Sequence, residues 1–522
     1  MKVLVVTGIK AKELVESQVA KASHKVEGKV FVLPVPVAAL ITPAYAARML
    51  SKSDVEGFDL VLLPGTAKGD VTPVAEKLGI PVFKGPRHAS DIADVLEQLG
   101  EIKLSTVKPA CEMAAEIMRE KARRVIEALR REARRKPSVL IKRGKAVAAW
   151  APKCPPIILA EIADASKMSD SEIEAKARYY VASGASMVDV GMEAGGGRPD
   201  EARRAVKAVR RAVKVPVSID SADAEELEAG VKAGANLILS GDSSNLRELA
   251  KFARKTWMVV TPAGPDGAIP ERFDERVSML EENLRLAREL GLKKLIADPI
   301  LGLAPPYGLM DSLLGYWEFS RRNPSTPTFF GAGNVTELSD VDSPGLNFAL
   351  ALLGWELNVS FIFTVEASRK TLGSVWELSR ALEMIVLASE KRAPPKDLGV
   401  NLLRLKEKRA KDEPLTEDEL KLKALEAEDE LALKFPRDPK GSFKIKIDRQ
   451  EGFIYAFHYE RGSLKPSRAV RGRRPEPIYR KIVEEGLVSL LDHAAYLGFE
   501  LGKAYIALKT GRSYVQDEDV FA

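Results

Sequence analysis

The sequence predicts an α/β protein with a central (β/α)8 TIM barrel, a doubly wound α/β domain before it and a small α+β domain after it. The barrel prediction rests on eight short apolar runs, separated by helical patterns, within about 240 residues. Four further apolar runs near the start and a hairpin pattern near the end predict the flanking domains. The predicted segments are 1–108 (Rossmann- or flavodoxin-like α/β domain), 109–137 (basic linker helix), 138–395 (barrel), 396–436 (charged helical linker) and 437–522 (α+β domain).

The composition is that of a globular protein with sizeable cores. Hydrophobic residues make up 45% of the chain, and 80 basic residues stand against 74 acidic ones, an excess too small to indicate a nucleic-acid partner. Two cysteines, Cys111 and Cys154, exclude a disulfide framework and a cysteine-rich metal site within one chain. With a strand-like start and no long uncharged apolar span, we expect a cytoplasmic protein with no membrane contact.

The first domain is predicted from continuous apolar runs, which are typical of parallel strands buried on both faces. Gly65 and the segment 85–88 follow two of these runs, at the sheet edge where ligands of such folds bind. Ordinary strand–helix turns explain the same residues more simply, and the absence of a G-x-G-x-x-G pattern argues against a dinucleotide site. The runs are Val3–Val6, Val30–Leu33, Leu60–Leu63 and Pro81–Phe83.

The segments on either side of the barrel have distinct patterns. Arg119–Arg135 is densely basic without interleaved aromatic residues, so we interpret it as a solvated helix that joins two domains. Near the end, Gly441–Tyr459 alternates apolar and charged residues as a hairpin does. A helix over Glu476–Lys509 follows, with breaks expected near Gly486 and Gly498.

The barrel prediction depends on a repeating pattern that begins after Pro156, in which a short apolar run is followed by a helical segment. Helical patterns such as Ser171–Ser183 and Ala224–Ala233 separate the runs, so that each strand is followed by its own helix. The predicted strands are Ile157–Ile162, Met187–Gly191, Val215–Asp220, Asn236–Ser240, Trp257–Thr261, Lys294–Asp298, Pro327–Gly331 and Val359–Thr364.

Three of the predicted strands end in an aspartate: Asp189, Asp220 and Asp298. Barrels of this type carry their active sites at the carboxyl ends of the strands, where these three side chains would meet. A carboxylate beside apolar runs is costly to bury without a partner, so something cationic or rich in hydrogen-bond donors should face it. Helix capping or pairing with loop arginines explains any single aspartate, but three at one mouth favour a ligand.

These residues resemble a known family. The segments 186–193 and 195–199 (SMVDVGME and GGGRP) are similar to the second strand of dihydropteroate synthase and its arginine–proline loop. Segments 217–221 and 297–302 (VSIDS and ADPILG) look like its third and sixth strands. The segment 331–337 (GAGNVTE) is similar to the seventh strand of pterin-dependent methyltransferases. The whole chain resembles the archaeal dihydropteroate synthase-related proteins, which also occur in methylotrophs that use methanopterin.

The resemblance implies a reduced pterin of the folate or methanopterin type as the ligand. It assigns Asp298 to the aminopyrimidinone edge of the pterin and Asp189 to the other ring, with Asp220 in support. Physical chemistry agrees, because a carboxylate accepts two parallel N–H donors from such an edge much as it accepts an arginine fork. Asn334 is expected to bond a ring nitrogen, as donor or acceptor.

The catalytic roles that the resemblance implies fall on Asp189, Arg198 and Lys370. Arg198 lies where the family clamps a diphosphate, although pairing with Glu193 or Asp200 explains it equally well. Lys370 belongs to a Ser-Arg-Lys motif that follows the eighth predicted strand, whereas in synthases the motif follows the seventh.

Two strands depart from the synthase pattern. The first strand carries Glu161 and lacks the asparagine that synthases use near a diphosphate-bound Mg²⁺. The fourth strand carries Ser240, where synthases have an Asn-Asp pair.

A dihydropteroate synthase-like transferase of folate or tetrahydromethanopterin metabolism is therefore the leading expectation, with Mg²⁺ as the metal that the resemblance implies. One alternative is methyl transfer with a separate corrinoid protein, because the chain has no Asp-x-His-x-x-Gly cobalamin motif of its own. The other is a pterin-binding scaffold without catalysis. The resemblance also implies a homodimer through the outer helices of the barrel.

Overall fold

The computed structural model describes residues 1–303, 307–396, 398, 400–406, 421–422, 437–449 and 451–521. Most of the charged linker expected over 396–436 therefore lies outside the described residues. The chain divides into two compact units. The first contains Met1–Ala367 and Gly373–Leu403, and the second contains Ser368–Leu372 and the C-terminal residues.

The N-terminal part of the first unit is a four-stranded parallel sheet in the order β2-β1-β3-β4. Alternate residues of β1 pack into different apolar clusters: Leu4 and Val6 lie in one, and Val3 and Val5 lie in the other. Both faces of the sheet are therefore covered, as expected from its continuous apolar runs. The strands are β1 (Lys2–Gly8), β2 (Glu27–Leu33), β3 (Leu60–Leu63) and β4 (Val82–Lys84), and the helices are α1 (Lys12–Lys21), α2 (Pro43–Met49), α3 (Thr72–Leu78) and α4 (Ile92–Glu97).

The basic helix α5 (Ala110–Arg135) and a hairpin precede the barrel. The hairpin consists of β5 (Val139–Arg143) and β6 (Ala146–Trp150), and its apolar side chains join the core cluster inside the barrel. Trp257, at the start of a barrel strand, donates from Nε1 to the Leu140 carbonyl at 3.1 Å. The hairpin therefore plugs the amino-terminal end of the barrel, and no motif in the sequence pointed to it.

Eight parallel strands form the barrel in the order β12-β11-β10-β9-β8-β7-β14-β13. A bridge between Ala297 and Thr328 joins the two ends of this order, which closes the cylinder. The predicted (β/α)8 fold is confirmed. The strands are β7 (Ile157–Ile162), β8 (Met187–Gly191), β9 (Val217–Asp220), β10 (Leu237–Gly241), β11 (Trp257–Val260), β12 (Leu295–Ala297), β13 (Phe329–Gly331) and β14 (Phe361–Val365).

Helices surround the cylinder and bury one face against the outward side chains of the strands, as Ala202, Ala205 and Val209 do in one large apolar cluster. The helices are α6 (Asp170–Ser183), α7 (Pro199–Ala212), α8 (Ala224–Ala233), α9 (Leu246–Leu249), α10 (Phe273–Glu289), α11 (Leu309–Arg322), α12 (Gly333–Thr336), α13 (Ser343–Glu356) and α14 (Ser374–Lys391). None of the helices among the described residues is both long and apolar enough to cross a membrane.

Gly184 ends helix α6 in the left-handed region, at φ +114°, and a Cβ there would lie 2.6 Å from the Ser379 Cβ. We expect Gly184→Ala to lower the free energy of unfolding, because it combines backbone strain with a steric clash. Gly195→Ala is the matched control, since Gly195 has φ +104° but no neighbour within 4 Å of an added Cβ. Urea titrations should show that Gly184→Ala costs roughly 1 kcal/mol more than Gly195→Ala. Equal losses would contradict a steric contribution.

The second unit contains a three-stranded antiparallel sheet in the order β15-β16-β17. The helix expected over Glu476–Lys509 is divided near Gly486, as predicted, but it continues through Gly498, so the second expected break is wrong. The elements are β15 (Ser442–Asp448), β16 (Phe453–Tyr459), β17 (Arg468–Gly472), α15 (Pro475–Glu484) and α16 (Leu491–Thr510).

Candidate functional site

Side-chain alternation along the barrel strands places four carboxylates in its interior. Residues two apart on a strand face the same side. The interior core cluster contains Leu159, Met187 and Ile296, each of which lies two residues before an acid: Glu161, Asp189 and Asp298. By the same rule, Asp220 follows the buried Ser218 on β9. All four acids therefore lie at the carboxyl ends of the strands, above an apolar floor.

Asp189 is fully buried, and neither of its carboxylate oxygens has a hydrogen-bond partner among the described residues. The buried Ser218 hydroxyl on the neighbouring strand also lacks a partner. Burial raises the pKa of Asp189 well above its usual range, and the negative charges of Asp220 and Glu161 raise it further, while the nearby Ser218 hydroxyl and Val190 N–H oppose the rise. A buried carboxyl with no partner favours a ligand that supplies hydrogen-bond donors.

Glu161 stands beside Asp189, because the two residues are register partners on the parallel strands β7 and β8. Gly191 makes room for it: a Cβ at that position would lie 2.1 Å from the Glu161 Oε1. Burial raises the pKa of Glu161 to about 7, with a further contribution from Asp220, while Lys176 opposes the shift. This carboxyl can therefore hold a proton near neutral pH.

Asp220 is the third member of this group. The Ser240 hydroxyl at the end of β10 donates to its Oδ1 at 3.3 Å. Burial raises the pKa of Asp220, and the Ser240 hydrogen bond limits the rise. Ser240 itself has φ +66°, a conformation that costs energy in a residue other than glycine and that recurs at functional sites.

Asp298 lies farther around the barrel, after β12, and has its own partners. Its Oδ1 accepts from the Ile300 backbone N–H at 2.8 Å and lies 2.9 Å from the Tyr316 hydroxyl. Burial raises the pKa of Asp298 to about 6, although both hydrogen bonds lower it. The Tyr316 hydroxyl also lies 2.7 Å from the Phe329 carbonyl, and one hydroxyl hydrogen cannot serve both acceptors at once.

The loop that holds Asp298 in place is strained. Ile300 has φ +67°, which is rare for a β-branched residue. In this conformation its N–H is directed at the Asp298 carboxylate. The Asp298 oxygens are therefore held in position before a ligand binds.

Asn334 lies on the short helix α12 after β13, and its side chain is exposed. Its Nδ2 donates to the Leu301 carbonyl at 3.1 Å, so it is joined to the loop that follows Asp298. The amide nitrogen is therefore engaged, and the expected contact with a ring nitrogen remains a prediction.

Arg198 forms an ion pair in this structure, which is the simpler of its two expected roles. Its guanidinium pairs with Glu193 at 3.1 Å, and its backbone N–H donates to Glu226 at 2.9 Å. Lys167 also pairs with Glu193, at 2.8 Å. The clamp role of Arg198 therefore requires a ligand that displaces this ion pair.

Lys370 lies in Ser368–Leu372, a segment that groups with the second unit. It is half-buried within the 3-10 helix Arg369–Thr371. Its catalytic role stays a prediction.

The Mg²⁺ that the resemblance implies stays a prediction, because one or two carboxylates with substrate phosphates and waters are enough to hold it. Among the described residues, no group of three or more His, Cys, Asp or Glu side chains is arranged to hold a metal ion. None of the eight barrel strands contains lysine or arginine either. The interior therefore presents acceptors and protonatable carboxyls.

Comparison with known proteins places this chain in a family. Residues 161–335 match the family of pterin binding enzymes, residues 437–517 match the PterinBD-DUF4346 family, and residues 1–87 match a family of unknown function, DUF6513. The protein MJ0107 of Methanocaldococcus jannaschii is 35% identical, over 100% of this chain and 99% of that protein. This chain belongs to the MJ0107 family of dihydropteroate synthase-related proteins. A Ycf91-like protein of Nostoc is 38% identical over an alignment of 105 residues. The match covers 15% of this chain and 83% of the Nostoc protein.

Solved structures that are similar to this chain include two dihydropteroate synthases. Dihydropteroate synthase from Xanthomonas albilineans, in complex with 7,8-dihydropteroate, is 18% identical, with a TM-score of 0.38, over 49% of this chain and 99% of that one. Dihydropteroate synthase from Thermus thermophilus, in complex with 6HMPPP, is 22% identical, with a TM-score of 0.36, over 47% of this chain and 97% of that one.

Sequence reasoning missed two residues of this candidate site. Glu161 was noted only as a departure from the synthase pattern, although its alternation with Ile157 and Leu159 already placed it inside the barrel. Tyr316, which contacts Asp298, lies on a helix 18 residues later and gave no sequence signal.

Proposed function

We propose that the mouth of the barrel binds a reduced pterin and that this protein is a transferase of folate or tetrahydromethanopterin metabolism. The observation that carries the proposal is the interior itself, where Asp189 is buried without a partner and three more carboxyls share the mouth. A reduced pterin is flat, fits between apolar walls and carries N–H donors along its edges. Such a ligand would supply the donors that the acids lack.

Asp298 is proposed to accept the donors of the aminopyrimidinone edge. Two neighbours orient its carboxylate, and its pKa of about 6 leaves it ionised at neutral pH. Asp189 is assigned to the other ring, with Asp220 beside it. The match of residues 161–335 to pterin binding enzymes supports the same ligand.

Two reactions are candidates at this site. Condensation of a pterin diphosphate with an arylamine is the reaction of the synthases that the barrel resembles, and it needs cations for the leaving diphosphate. In this chain Arg198 and Lys167 would have to leave Glu193 to serve it. Methyl transfer from a reduced pterin to a separate corrinoid protein needs no such clamp, and carboxyls that hold a proton near neutral pH favour it.

The test has two assays on the full chain. We expect the protein to bind 7,8-dihydro-6-hydroxymethylpterin in a calorimetric titration and to catalyse one of two reactions. One assay measures pyrophosphate release from the diphosphate of that pterin with 4-aminobenzoate or its ribosyl derivative. The other follows methyl transfer from methyl-tetrahydromethanopterin to cob(I)alamin. Binding with neither reaction would identify a scaffold and contradict the transferase assignment, and no binding of any reduced pterin would overturn the whole proposal.

A further inference from the structure

The barrel contains no histidine, since the four histidines of the chain are His24, His88, His458 and His493. General acid–base work at its mouth therefore falls to Asp, Glu, Lys or bound water, and carboxyls are the groups that converge there. Glu161 and Asp189 are suited to this, because they stand side by side in register and face the same interior space. Gly191 has no side chain to separate the Glu161 carboxylate from that space.

Several charged groups face Glu161 from the elements around it. Asp189 lies on β8, Asp220 on β9, Asp164 in the loop after β7 and Glu337 just after α12. The one cation among these neighbours is Lys176 on α6, whose Nζ donates to the Glu366 carbonyl at 3.3 Å. Asp164 also pairs with Lys167 at 3.1 Å, so the remaining three acids against Lys176 make a second full negative charge at the pair unfavourable.

We infer that Glu161 and Asp189 share one proton and donate it in a hydrogen bond to a ring nitrogen of the bound ligand. This inference rests on the proposed pterin site and adds a residue to it. The pair is a single carboxyl–carboxylate unit, so the proton belongs to both residues. Asp189 has no other hydrogen-bond partner among the described residues, which leaves its oxygens available to the partner acid and the ligand.

The physical consequence is a linkage between binding and protonation. The ligand binds only to the pair that carries the proton, so this pair by itself leaves affinity unchanged while it is protonated and lowers affinity about tenfold per pH unit once the free pair has lost that proton. The protein must then take up a proton when it binds ligand at alkaline pH. A carboxylate pair that merely accepted N–H donors would bind more tightly as pH rose, which is the opposite trend.

The experiment measures the affinity of the full chain for 7,8-dihydro-6-hydroxymethylpterin by calorimetry between pH 6 and 8.5. Titrations at pH 8 in two buffers of different ionisation enthalpy report the protons taken up. We expect wild type to lose at least tenfold in affinity between pH 6.5 and 8.5 and to take up close to one proton at pH 8. Glu161→Gln should bind with nearly the same affinity across this range and take up no proton.

Two further variants make the result specific. Gly191→Ala keeps every charge but pushes the Glu161 carboxylate out of its place, so proton uptake should fall. Glu337→Gln removes a neighbouring charge outside the pair and should keep the one-proton uptake, with the alkaline loss shifted to lower pH.

The outcomes separate this inference from the proposed function. Binding by wild type without proton uptake, or uptake that persists in Glu161→Gln, overturns the shared proton and leaves the pterin site standing. The wild-type measurement needs no variant, so misfolding of Glu161→Gln would not remove the test. If wild type binds no reduced pterin, the proposed function fails and this inference fails with it.

Discussion

Asp298→Asn is expected to weaken the binding of a reduced pterin at least tenfold, which corresponds to about 1.4 kcal/mol or more. The substitution replaces a carboxylate, which accepts two N–H donors, with an amide that offers one acceptor and one clashing donor. Calorimetry with 7,8-dihydro-6-hydroxymethylpterin at pH 7.5 measures the loss. Asp274→Asn is the matched control, because Asp274 lies in the first turn of the outer helix α10 and pairs with Arg272, which precedes that helix. Equal affinity of Asp298→Asn and wild type would remove Asp298 from the pterin edge.

The raised pKa of Asp298 also predicts that the affinity for a reduced pterin falls in acid. Burial raises the pKa of Asp298 to about 6, so the carboxylate is lost as the pH falls through that value. Affinity should therefore decline below pH 6 in wild type and show no such decline in Asp298→Asn. Tyr316→Phe removes a hydrogen bond that lowers the pKa of Asp298, so it should move this decline to higher pH. With the alkaline loss expected from Glu161 and Asp189, wild type should bind best between roughly pH 6 and 7.

Asp189→Asn is expected to stabilise the protein at pH 8 and to abolish most of its pterin affinity. Asp189 is buried and has no hydrogen-bond partner among the described residues, so its ionisation costs free energy in the folded state. Because its folded-state pKa is raised, this cost is absent below the ordinary aspartate pKa, grows as the pH rises from there to the folded-state value and is fully present above it. Removing the charge should increase the free energy of unfolding by at least about 1 kcal/mol at pH 8.

Urea titrations at pH 8 and pH 4.5 test this prediction. All five tryptophans lie between Trp150 and Trp376, so their fluorescence reports on the barrel and its hairpin. The gain in stability should be largest at pH 8 and should shrink at pH 4.5, while pterin affinity falls at least tenfold. Equal or lower stability of Asp189→Asn at pH 8 would show that the carboxylate is paired in solution, which would contradict a site held ready for a ligand.

The barrel and its acidic mouth followed from the sequence because both depend on local patterns. Eight apolar runs, each followed by a helical pattern, specify the (β/α)8 fold, and the strand ends then specify where Asp189, Asp220 and Asp298 lie. The two-residue alternation along its strand also places Glu161 inside the barrel, which its departure from the family pattern does not reveal.

Only the tertiary structure decided which partners these residues have. The β5–β6 hairpin that plugs the barrel, the Arg198–Glu193 ion pair and the contact of Tyr316 with Asp298 join separate segments of the chain. The absence of a partner for Asp189 is of the same kind, since it depends on what every neighbouring strand leaves unfilled. Periodicity is a property of consecutive residues, whereas hydrogen bonding and charge depend on distances that exist only after the cylinder has closed.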